Sequence, residues 1–212
     1  MTVYRLDEIA KDVRIALDRN GSSDALLELG DLDTLMLDDI IKSKIVEAIK
    51  RVHSEAPAYI LDGGHNFGDA VFWQDMGSGW VLLPEDFMRF VSFKMDDWKR
   101  AVFNCMSTDN EEYKKQSSLF KGVRGNAQNP KCFITVRPEG RALEFYSSKS
   151  DDAKIAQAVY IPYPKIDEFN AVEICSRCYE AVVYTIATLV VATFGDTEKS
   201  NMYNELSKTA LL

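Results

Sequence analysis

"DDIIKSKIVEAIKRVHSEAP", residues 38–57, decides how the rest of the chain is read. Ile41, Ile45, Ala48, Ile49 and Val52 recur at three- and four-residue intervals, and with Leu37 they line one face of a helix. Asp33, Asp38 and Asp39 stand at its amino end and Lys50 and Arg51 near its carboxyl end, the order that the helix dipole favours. Pro57 stops the pattern, because the residue before a proline is pushed out of the helical region. Beyond it the period changes, so helices precede this point and strands follow it.

Toward the amino end, Leu6, Ile9, Val13, Ala16 and Leu17 predict an amphipathic helix from Tyr4 to Arg19, ended by "NGSS". Toward the carboxyl end, "LDGGHNFGD" reads as a flexible Gly-rich connector. Val71 to Trp73, "GWVLLP" and "RFVSFKM" then read as strands, with a turn at "PEDF". "KCFITVRPEGRALEFYS" predicts a hairpin whose Pro138 and Gly140 suit a type I turn. "AQAVYIPYP" adds a strand, assigned to an edge because of its prolines. From Asp167 the spacing of Ile174, Cys178, Ala181, Val182, Thr185, Ile186, Leu189 and Val190 is helical again, and "TEKSNMYNELSKTALL" predicts a short last helix. The expected fold is α+β: a helical bundle formed from the N- and C-terminal helices (1–60 and 167–212) with an inserted antiparallel β-rich domain (61–166) that carries a long exposed loop, 109–131.

A chain of 212 residues can bury a core without disulfides or a metal. Its net charge of −8 argues against a nucleic-acid clamp, since phosphate binding rests on Lys and Arg. Residues 94–141 nevertheless carry ten Lys and Arg against six Asp and Glu, a local balance of +4. "MTVYRLDEIAKDV" has no apolar run of signal-peptide length, so no secretion by that route is expected. "AVVYTIATLVVATF", residues 181–194, is shorter than the roughly 20 residues that cross a bilayer and reads as a buried core helix; no membrane partner is expected.

Few residues suggest chemistry. His53 and His65 are the two histidines, read as surface or loop-packing residues, which leaves little choice of base for nucleophilic catalysis. "GGHNFGD" lacks the lysine of a phosphate-binding loop and does not follow a strand. "CSRC", residues 175–178, has the spacing of a redox or zinc pair but falls inside the predicted helix, so the expectation is four reduced thiols, no metal and no cofactor. Asp86 reads as a turn residue after Pro84. Lys114, Lys115, Lys121, Arg124 and Lys131, interleaved with Tyr113 and Phe120, form the one segment suited to a partner or a polyanion. No catalytic residue is assigned.

Taken in order, "IIKSKIVEAIKRVHSEAP", "LPEDFMRFVSFKMDDWKRAV", "LEFYS", "YEAVVYTIATLVVATFGD" and "SNMYNELSK" resemble the head-to-tail connector proteins of tailed bacteriophages, most like adaptor ring subunits of podovirus-type phages of Bacteroidetes. The resemblance implies a structural virion protein of the neck, present in host cytoplasm during assembly. It would form a homo-oligomeric ring, commonly of twelve subunits, between the portal protein and the next tail or ring protein. The ring would continue the channel through which DNA passes without sequence-specific binding. The resemblance also implies portal docking by the chain end, here Leu206, Leu211 and Leu212. The alternative is a tail-completion or DNA- and partner-binding module that uses the basic loop 114–131.

Overall fold

The computed structural model describes residues 1–19, 37–61, 63–120 and 122–212. In chain order the elements are β1 (Thr2–Arg5), α1 (Leu6–Arg19), α2 (Leu37–Glu55), β2 (His65–Asn66), β3 (Phe72–Trp73), β4 (Gly79–Leu82), β5 (Phe87–Met95), β6 (Met106–Ser107), α3 (Glu111–Lys115), β7 (Lys131–Arg137), β8 (Gly140–Tyr146), β9 (Ile155–Pro162), β10 (Ala171–Ile174), α4 (Tyr179–Thr193) and α5 (Thr197–Thr209). The chain is mixed α+β and divides into two compact units: Met1–Gly63 with Tyr163–Leu212, and Gly64–Pro162.

The first unit is built on α4, which packs against α1, α2 and α5. Ala181, Val182, Ile186, Ala187, Val190 and Val191 of α4 have no exposed surface, as its apolar run requires. Ile9 and Val13 of α1 and Ile41, Ile45 and Ile49 of α2, the helices that pack on it, are in the same solvent-free state. Asp196 caps α5 by accepting the Lys199 N–H at 3.1 Å. Tyr203 buries its ring completely and donates its hydroxyl to the carbonyls of Ala16 and Leu17 at 3.4 and 3.5 Å. Ser207 donates to the Ala181 carbonyl at 3.0 Å, satisfying a polar group that the helix contact buries.

Two expectations fail in this unit. Tyr4 and Arg5, expected in the first helix, and residues 171–174, expected to be helical, lie instead in a pair of antiparallel strands, with Thr2 opposite Ile174 and Arg5 opposite Ala171. Asn170, at φ +55, breaks any helical path before β10, while Asp167 accepts the N–H groups of Phe169 and Ala171 and turns the chain into it. "CSRC" accordingly lies ahead of α4: Cys175 follows β10, and Ser176–Cys178 form one 3-10 turn.

The second unit contains a three-stranded sheet, β2-β9-β5, and a five-stranded sheet, β3-β4-β8-β7-β6, antiparallel except for β6 beside β7. The predicted hairpin is β7–β8, closed by Pro138 and Glu139 between Arg137 and its partner Gly140. Gly140 has φ +134, which only glycine adopts readily. Phe67, Phe87, Phe93, Met95, Trp98, Leu143, Phe145 and Tyr160 fill the core, with Phe93 and Phe145 rings 5.5 Å apart.

Here too the structure corrects three readings. β9 is central, not an edge, because Pro162 is its last residue and Pro164 lies beyond it, so neither removes an interior ladder N–H. The Gly-rich connector contributes β2, paired to β9. The loop 109–131 is only partly exposed: Gln116, Arg124, Gly125, Ala127 and Pro130 are buried.

Candidate interaction surface

The loop 109–131 is held from below by named side chains. Asn110 caps the short α3 by accepting the Glu112 N–H at 2.9 Å. Gln116 spans the loop, donating to the Glu112 carbonyl at 2.7 Å and accepting the Gly125 N–H at 2.8 Å. Gly125 also gives its carbonyl to the Ser147 hydroxyl at 3.0 Å, and a Cβ there would fall 2.6 Å from the Tyr146 carbonyl oxygen. Only glycine permits this close seating on β8.

A buried carboxylate completes the base. Glu144 of β8 accepts the Tyr146 hydroxyl at 2.5 Å and the Tyr113 hydroxyl at 3.3 Å, and Arg137 stands 3.3 Å from it while stacking over Trp80. Burial, then the Glu144 carboxylate, pushes the Tyr146 phenol well above its ordinary range, and the same two causes raise Tyr113.

Above this base the chain turns tightly, with the Val123 and Arg124 N–H groups both donating to the Phe120 carbonyl. The turn projects Leu119 at 81% exposure and Phe120 at 76%, with Val123 half exposed beside them. The charge-based reading named Phe120 only as an aromatic between the lysines and passed over Leu119 and Val123. Their signal was present: "LF" and a following valine inside a Ser-, Gly- and Lys-rich stretch have no periodic apolar partners to pack against.

The expected basic cluster is dispersed. Lys114 is exposed. Lys115 is exposed but paired to Glu112 at 2.5 Å, which Lys131 also approaches at 3.8 Å. Lys115 first, then Lys131, holds the Glu112 carboxyl below the usual range. Lys121 lies outside the described residues. Arg124 corrects the expectation: only 8% of it is exposed, and it lines a cleft of about 720 Å³ with Gly77, Ser147, Ser148 and Lys149. Of the terminal leucines, all in the other unit, Leu212 is exposed and Leu206 half-buried, whereas Leu211 is buried and unavailable to a partner.

One chemical constellation arises that the sequence reading set aside. His53, expected at a surface, is fully buried because the apolar face of α2 continues through its last turn. It meets Cys175 and Cys178, and the three donor atoms lie within 4.8 Å of one another. The Cys175 thiol is pushed up, first by its hydrogen bond with Cys178 and then by burial. Asp86 accepts the Tyr160 hydroxyl at 2.8 Å and so has a structural partner. Among the described residues no helix is long and apolar enough to cross a membrane.

No protein-family model matches the chain, and no curated protein matches it.

Proposed function

We propose that the chain is a structural subunit of a ring-forming connector of a tailed-phage neck, in which the helices of both chain ends form a bundle and the β-rich segment is an insertion. The observation that carries the proposal is the loop tip: Leu119, Phe120 and Val123 stand in solvent on a base fixed by Gln116, Gly125 and Glu144. Three neighbouring apolar side chains on one ordered base fit insertion into a neighbouring copy. The resemblance of the ordered segments to phage adaptors supplies the context, a ring between the portal protein and the next tail component. The net charge of −8 suits a conduit, since an acidic lumen repels phosphates and lets DNA slide.

The alternative, a DNA-binding module using loop 114–131, is weakened at three of its five cations, because Glu112 engages Lys115 and Lys131 and Arg124 is buried. The test is electron microscopy with mass measurement on the chain alone and mixed with the portal protein of the same genome. A closed ring in either sample is expected, and Leu119→Ser with Phe120→Ser should abolish it without lowering the unfolding temperature. A chain that stays monomeric in both samples refutes the proposal.

A further inference from the structure

The core of the first unit is largely aliphatic, and three residues depart from that in one place. His53 lies in the last turn of α2, Cys175 directly follows β10, and Cys178 ends the 3-10 turn before α4; none has exposed surface. Buried cysteines are common, but a histidine buried beside two of them is not expected from apolar packing alone. Nε2 of His53 accepts the Cys175 N–H at 3.2 Å, so a ring lone pair faces the turn that carries both sulfurs. That turn is closed by the Cys178 N–H on the Cys175 carbonyl at 2.9 Å, the tight C-x-x-C form that aims two thiols at one point.

Two sulfurs and an imidazole suit a soft or borderline d10 cation, zinc(II) or copper(I). Charge separates them. Two thiolates neutralise a divalent ion, whereas with a monovalent ion they leave a net negative charge in a core where an uncompensated charge is costly. The geometry points to a zinc(II) site whose protein ligands are Cys175 Sγ, Cys178 Sγ and the His53 imidazole. Both thiols release their protons to solvent as two zinc–sulfur bonds form, with no change of oxidation state. Zinc then takes over the imidazole lone pair that the Cys175 amide otherwise engages. Three protein ligands leave the fourth tetrahedral position to water or another small ligand. The ion would pin the carboxyl end of α2 to the β10–α4 junction.

The test uses the full chain, produced with zinc supplied and desalted. Elemental analysis should find about one zinc per chain. Cobalt(II) in its place should give thiolate-to-metal charge-transfer absorption, lost in Cys175→Ala and Cys178→Ala. His53→Gln should keep that absorption, alter the d–d bands, and weaken zinc retention against a chelator by about tenfold or more. Circular dichroism reports whether each variant is folded, and the unsubstituted chain decides independently. Its unfolding temperature should fall on chelation and return with zinc but not with magnesium. A folded chain that carries no zinc and shows no charge-transfer band with cobalt(II) overturns the site. Copper recovered in place of zinc overturns the choice of ion, and unaltered d–d bands in His53→Gln overturn the ligand set.

Discussion

In β8 the side chains of Leu143 and Phe145 fill the core from one face, and Glu144 between them is buried on the other, under Tyr113 and Arg137. A carboxylate in that position is stable only while its partners remain. Glu144→Gln should therefore cost about 1–3 kcal/mol in urea unfolding, because the Arg137 guanidinium loses its counter-charge. A loss below about 0.5 kcal/mol would mean that solvent screens the pair as it does a surface ion pair. The Tyr146 phenol gives a pH dependence whose sign follows from its direction of shift. Its pKa is raised in the native chain, so above about pH 10 the unfolded chain gives up a proton that the folded one keeps, and stability falls as pH rises. Thermal unfolding followed from neutral into alkaline buffer should show that decline, and Tyr146→Phe should make it shallower. "LEFYS" announced the inward Leu143 and Phe145 by alternation. It could not announce the cover over Glu144, because Tyr113 lies 31 residues upstream.

Helices α1, α2, α4 and α5 were legible because each buries one face, and the three- and four-residue spacing of that face is written in the sequence. β10 was not, for a physical reason: Ile174, Cys178 and Val182 continue at four-residue spacing straight across the turn, so a short strand and a helix share one apolar pattern. What separates them is Asn170 in a left-handed conformation and the pairing with β1, the latter a contact between distant parts of the chain. The β7–β8 hairpin was legible because its turn is local. Its Gly140 permits a clean measurement, since nothing lies within 4 Å of where a Cβ would be added. Gly140→Ala should thus report backbone strain alone, about 1–3 kcal/mol at this φ, with an unchanged urea m-value. An unaffected midpoint would show that the turn relaxes to a conformation open to alanine.

At the scale of the whole molecule, reading positive charge as one docking patch merged residues with different duties. Lys114 stands in solvent, whereas Arg124 is packed beneath the loop tip, so neutralising them should give opposite results. Lys114→Ala should shift the unfolding free energy by no more than about 0.5 kcal/mol, and Arg124→Ala should lower it by about 1–3 kcal/mol through lost packing of its stem. Equal effects on stability would return Arg124 to the surface. The same distinction sets the salt response expected of the proposed assembly. Contacts led by Leu119 and Phe120 remove apolar surface from water, which added salt does not screen, whereas docking led by lysines on a polyanion weakens as counterions compete. Sedimentation of the assembled chain at about 0.1 M and about 1 M salt, between which the Debye length falls from about 10 Å to about 3 Å, tells them apart. Association that holds or strengthens at the higher salt is expected from the exposed tip, and dissociation there would assign the contact to charge.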